Sequence, residues 1–156
     1  MNHPLPEHVS EILCRDLQSV AEEVEATPER DLWSVPAGVI NPVGTLAFHV
    51  CGNLRHFIGA LLGGDGYVRD REGEFTPGQV TKEALLAELA AAGAAVSAGL
   101  EGLPPERLAE PMPGAPAQHQ GKSVEFFLIQ LCCHLAWHRG QLNYVRRILE
   151  AGAARS

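Results

Sequence analysis

Apolar residues recur at three- to four-residue intervals in four separate stretches, and this spacing predicts amphipathic helices over about 7–27, 42–63, 81–102 and 123–151. The first carries Val9, Ile12, Leu13, Leu17, Val20 and Val24, with Glu11, Arg15, Asp16, Glu22 and Glu23 assigned to the outer face. It ends before Pro28, which cannot continue a helix. The second opens at Asn41-Pro42, read as an N-cap followed by proline at the first helical position, and closes at Gly63-Gly64. Thr81 starts the third, an alanine-rich helix with Glu83 near its positive end and Gly93 in its middle. The fourth starts near Ser123, runs through Val124, Phe127, Leu128, Leu131, Leu135, Leu142, Val145 and Leu149, and stops at Gly152.

A helix of about 22 residues is roughly 33 Å long, so four of comparable length predict an all-α, single-domain four-helix bundle over residues 1–156. Strand signals, internal repeats and other low-complexity tracts are absent. Two connections, about 64–80 and 103–122, exceed the roughly 2–8 residues that join simple helical hairpins, which permits a crossover topology or a wall over a pocket.

Composition narrows the function. Hydrophobic residues make up 46% of the 156, enough for a core without covalent staples. Twelve Lys and Arg against 19 Asp and Glu give a net charge of −7, which repels phosphate backbones and anionic headgroups, so neither nucleic acid nor membrane is an expected partner. The N-terminus has no secretion-signal pattern, and no stretch reads as apolar for long enough to span a bilayer. Cys14, Cys51, Cys132 and Cys133 lie inside helical patterns, which fits reduced thiols in the cytoplasm.

Of seven histidines, His3, His8 and His119 fall in the N-terminal segment or a loop and are expected to be solvated. His134 and His138 are one turn apart on the fourth helix, so both imidazoles can converge on one ion, and flanking Leu131, Leu135, Leu142 and Val145 direct them inward. A buried ring needs a polar partner, which is either a metal or a hydrogen-bond acceptor. A third ligand has to arrive from another helix, and His49, among the apolar residues of the second, is the candidate. His56, two turns or roughly 10 Å further along the axis, is too distant to share its ion and reads as a pocket or edge residue. Cys132 and Cys133 point ~160° and ~100° away from His134 around the helix, and Cys51 ~160° from His49, so no thiolate closes the site. Three imidazoles with an open position describe chemistry more than structure, and suit zinc, nickel, copper, iron and cobalt alike. Asn53, Gln141 and Gln130 share the faces of these histidines and are candidates to position a ligand or a bound water. Trp137, Tyr144 and Phe48 read as core or pocket wall.

These residues resemble the DinB/YfiT-like proteins. The likeness lies in Leu46-Ala47-Phe48-His49, in His134-Leu135-Ala136-Trp137-His138-Arg139-Gly140-Gln141-Leu142, and in Gly52-Asn53-Leu54-Arg55-His56-Phe57-Ile58-Gly59 followed by Arg69-Asp70-Arg71-Glu72-Gly73-Glu74-Phe75. The resemblance implies an up-down-down-up bundle, often a homodimer, in which one histidine of the second helix and two of the fourth hold a divalent metal. Zinc and nickel are the first expectations for that metal, with iron and manganese next. Some such proteins are thiol S-transferases using low-molecular-weight thiols such as bacillithiol, and others act on mycothiol or glutathione adducts. The expected function is therefore a metal-dependent transferase using a small-molecule thiol and an electrophile. The alternatives are a metal-dependent hydrolase and a non-enzymatic metal or small-molecule binding protein of a stress response. Arg69, Arg71 and Glu74 are expected at the mouth of the pocket.

Overall fold

The computed structural model describes residues 3–76, 78 and 80–154. Four helices carry the fold: α1 (Leu5–Ala26), α2 (Val43–Leu54), α3 (Lys82–Leu100) and α4 (Val124–Ala153), with no strand among the described residues. The protein is an all-helical bundle whose core is supplied by the expected periodic positions. Val9, Leu13, Leu17, Val20 and Val24 of α1 meet Leu128, Leu131, Leu135, Leu142 and Val145 of α4 in one buried cluster.

Two of the helix starts expected from the sequence, Thr81 and Ser123, carry a side-chain cap. Thr81 accepts a hydrogen bond from the Ala84 amide at 3.2 Å, and Ser123 accepts one from Phe126 at 3.2 Å, each satisfying an orphan donor of the first turn. Asn41 does not cap α2. Extended Pro42 occupies the cap position and its carbonyl accepts from Leu46, so Asn41 lies one residue too early. The chain also enters α2 under Trp33, whose ring fills the space a Cβ on Gly44 would take.

The second helix does not run uniformly to Gly63. After Leu54 it widens into a π-helical segment, Arg55–Ala60, with Leu61 donating to His56 and Gly63 to Ile58 across five residues. The widening accompanies a close approach to α3: a Cβ on Gly99 would meet the Ile58 carbonyl at 2.7 Å, and one on Gly63 would meet the Gly99 Cα at 2.8 Å. Small residues at this crossing set the backbone separation and with it the placement of Asn53, His56 and Phe57.

Polar pairs join the helices. Asp16, expected on the outer face of α1, is buried and accepts from Arg139 of α4 at 2.7 Å and from Arg15 at 3.0 Å. Glu23 pairs with Arg146 and with Asn143 of the same helix. An aspartate is apolar-adjacent on a helical wheel yet tolerates burial when an arginine meets it, which is why periodicity alone misplaces it. Helix α3 corrects a second expectation: its 19 residues are long and apolar enough, by length and composition, to cross a membrane. Alanine accounts for this, and the helix is packed between α1 and α2, with Cys14 facing Ser97 and Arg55 paired with Glu88.

Candidate metal centre

The apolar face of α2 carries His49 inward, and the single-turn spacing on α4 brings His134 and His138 to meet it. His49 Nε2 lies 3.3 Å from His134 Nε2, which lies 3.1 Å from His138 Nε2. All three ligand atoms fall within 4.8 Å of one another, a grouping that could hold a metal ion. The three residues chosen from the sequence are thus brought together. His56 stays apart from them, as the axial arithmetic requires, and lines the neighbouring cavity.

The rings are oriented from behind. Glu74 Oε2 lies 2.9 Å from His49 Nδ1, and Gln141 Oε1 lies 2.8 Å from His138 Nδ1. A carboxylate only accepts, so His49 carries its proton on Nδ1 and turns a bare Nε2 lone pair to the centre. Gln141, accepting from Nδ1, does the same for His138. The centre then holds two lone pairs beside His134 Nε2, whose one proton can bridge only one of them at a time. A cation resolves this conflict. Nitrogens at about 2.0–2.1 Å from a tetrahedral zinc ion lie ~3.3 Å apart, close to the two separations found here. The donor set therefore fits a divalent ion.

Glu74 belongs to this arrangement more intimately than the sequence suggested. It is 2% exposed, lying under His49 and not at the pocket mouth, and Arg69 grips both its oxygens at 2.6 and 2.8 Å. Gly52 leaves the room it needs, since a Cβ there would collide with Glu74 Oε1. Asp70 accepts from the Gly73 amide at 3.0 Å and closes the turn that delivers Glu74, while Phe75 packs its ring 5.1 Å from that of His49. Gln141 likewise orients a histidine, from outside the cavity that His49 and His134 border.

Burial favours the unprotonated form of the two donors on α4. Burial, then the neighbouring His138 and His49, push the His134 pKa down from 6.5 to about 4. Burial lowers His138 in the same sense. Burial would raise the Glu74 carboxyl, but hydrogen bonds from Arg69 and His49 outweigh it and hold the pKa below its ordinary value. These shifts carry a sign. The unfolded chain takes up a proton on His134 near pH 6.5 and the folded chain only near 4, so the unfolded state binds more protons between those values. Metal-free protein is therefore expected to be fully stabilised by this group above pH 6.5 and to lose that contribution as pH falls towards 4, with Glu74 adding a further loss below its ordinary range. Urea unfolding at pH 7.5 and pH 5 measures this; an unchanged midpoint would show that the rings are not held neutral in a shared interior.

His49 and His134 border a cavity of about 640 Å³, together with Asn53, Phe57, Phe127 and Gln130. Asn53 is 8% exposed and its Oδ1 has no hydrogen-bond partner. His119, expected to be solvated, also lines this cavity, because the 103–122 connection folds back so that its ring packs 5.9 Å from that of Phe127. A groove of about 670 Å³ between the start of α1 and the end of α3 has no comparable convergence of donors among the described residues. The four cysteines are unpaired, and burial raises the thiol pKa of Cys51 and moves that of Cys132 up to about 11, so neither is a ready thiolate. Trp137 and Tyr144 are not core: they are 70% and 66% exposed on α4, with Tyr144 bordering a separate groove of about 310 Å³ beside Leu46 and Ile148.

Comparison with known proteins agrees with this architecture. The chain is similar to a conserved protein from Enterococcus faecalis of known crystal structure, at a TM-score of 0.75 and 20% identity over 97% of this chain and 99% of that one, a likeness of fold. None of the curated proteins matches the sequence. The sequence pattern of the DinB superfamily matches residues 13–142, a span that contains all three histidines, and the chain belongs to that superfamily.

Proposed function

We propose that this protein is a divalent-metal-dependent transferase that joins a low-molecular-weight thiol to an electrophile. The observation that carries the reading is the meeting of three imidazole Nε2 atoms beside a cavity of small-molecule size. His49, His134 and His138 hold the ion, for which zinc and nickel suit an all-imidazole donor set and iron and manganese are the next choices. When bound, the ion supplies Lewis acidity that lowers the pKa of a thiol or water beside it. The protein's own part is positional. Glu74 and Gln141 fix ring tautomers, Arg69 holds Glu74 ionised, and Asn53 and Gln130 face the chamber where the reactants meet. Phe57 and Phe127, with ring centroids 4.8 Å apart, give it an apolar side that limits water.

The test combines elemental analysis with turnover. Purified protein is expected to hold one equivalent of metal, and to show thiol transfer with a member of a panel of small thiols and electrophiles. Chelation should abolish that activity and metal should restore it. Metal-loaded protein inert towards the whole panel would leave a binding protein, and hydrolysis without thiol would leave a hydrolase.

The same reading takes the chain as one cytoplasmic domain in the up-down-down-up arrangement. Four pairs of contacts support that arrangement. Cys14 faces Ser97 while Lys82 reaches the Glu25 carbonyl, so α1 and α3 oppose one another. Asp16 meets Arg139 and Glu23 meets Arg146, which aligns α1 with α4. Arg55 pairs with Glu88 and Gly63 abuts Gly99, which aligns α2 with α3. His49 meets His138 while Phe57 meets Phe127, which opposes α2 to α4. We also propose a homodimer joined through the outer face of α4. Phe126, Ile129, Trp137, Tyr144 and Ile148 recur there at three- to four-residue or double spacing and are all exposed. A paired Trp137→Glu, Tyr144→Glu variant should then run as a monomer in light scattering where the parent runs as a dimer; a monomeric parent ends this part of the reading.

A further inference from the structure

The chain carries a net charge of −7, yet the cavity beside the histidines has a wall of the opposite character. Arg69, Arg71, His56 and His119 line it, and no carboxylate does. Glu74, the nearest acid, lies behind His49 with its oxygens already taken by Arg69 and His49, so it offers nothing to a ligand. Arg71 is exposed and forms no ion pair among the described residues; its guanidinium rests over the Phe75 ring at 5.5 Å, which holds it at the cavity without neutralising it. Burial and the charge of Arg69 keep His56 neutral, so it presents an N–H and a lone pair, not a further cation. Asn53 adds a polar group that is buried, borders the cavity and lacks a partner for its Oδ1. The unmet Asn53 oxygen calls for a donor, and the uncompensated Arg71 guanidinium calls for an anion, so the ligand indicated carries an N–H or O–H together with a negatively charged group. Phe57 and Phe127, which line the same cavity, leave room for an apolar portion.

We propose that the cavity takes a small molecule bearing an oxyanion, carboxylate or phosphate, which Arg71 binds with Asn53 nearby, while the remainder of the molecule reaches towards His49 and His134. This deepens the transferase reading and rests on it for the identity of the chamber, but the anion site needs no metal. A local positive field in an acidic protein also discriminates: neutral analogues gain nothing from Arg71, and the −7 background repels anions everywhere else.

The experiment is calorimetric titration of the protein as isolated and of the same protein after metal removal, with metal content measured on both samples. The probes are succinate, inorganic phosphate and the uncharged succinamide. Succinate or phosphate is expected to bind both samples, at least about tenfold more tightly than succinamide, and to weaken as salt rises. Arg71→Gln should lose about tenfold in affinity for the anion. Arg30→Gln, which removes the same charge from an exposed position outside this cavity, should leave it unchanged. Equal binding of succinamide, no effect of Arg71→Gln, or anion binding only to metal-loaded protein irrespective of Arg71 would each overturn the proposal. Anion binding through Arg71 in protein that never retains metal would overturn the transferase reading and leave this one standing.

Discussion

A His49→Ala variant is expected to purify without stoichiometric metal while keeping its helical content. His49 is the sole ligand from α2, and without it the remaining pair comes from one helix and cannot enclose an ion from two sides. Spread over four ligands, the binding free energy of structural zinc amounts to roughly 3 kcal/mol for each, on the order of 100- to 1,000-fold in affinity. Competition with a chromogenic chelator measures the change directly. The fold should survive, because the substitution removes one of the two lone pairs that compete for the His134 proton in the metal-free centre and leaves the surrounding apolar cluster intact. Full metal retention by the variant would take His49 out of the site and with it the whole assignment.

The second large effect concerns a residue that orients a metal-holding histidine without itself reaching the centre. Glu74→Gln keeps the shape of the side chain but removes the negative charge that Arg69 and His49 share. Arg69, with a side chain only 10% exposed, is then left as a buried cation without a counter-charge, and breaking such a pair from one side costs about 3–5 kcal/mol. The urea midpoint of metal-free protein should fall accordingly. Metal affinity should fall as well, by about 10–100-fold, since the amide no longer holds the His49 tautomer as firmly. Glu72→Gln, an exposed acid of the same loop, provides the comparison and should change neither quantity. Equal midpoints and affinities for the two variants would mean that Glu74 is incidental to the centre.

The two variants probe different distances along the chain. His134 and His138 were legible because a helix makes four-residue spacing into spatial proximity, a purely local consequence of 3.6 residues per turn. His49 was legible because its apolar neighbours pointed it into the core. Glu74 lies 25 residues from His49, in a loop with no period, so nothing local connects them. The one trace in the sequence is Gly52, three residues beyond His49 on the same face, which opens space for the carboxylate. Its meaning appears only once the loop has folded over it.

Four helices, the composition of the core and the starts at Thr81 and Ser123 were legible along the chain, because hydrophobic period and capping act within one or two turns. The sequence by itself also determined that three histidines would face inward. What the tertiary structure alone decided is which of several equally apolar faces became interior. Helix α4 carries apolar residues on two sides, and only packing against α1 and α2 buries Leu135 and Leu142 while leaving Trp137 and Tyr144 outside. It decided too that Asp16 is sheltered by Arg139, that α2 widens after Leu54, and that a loop closes on His49 with Glu74 beneath it. Each of these depends on a partner distant in sequence, whose approach no local pattern encodes.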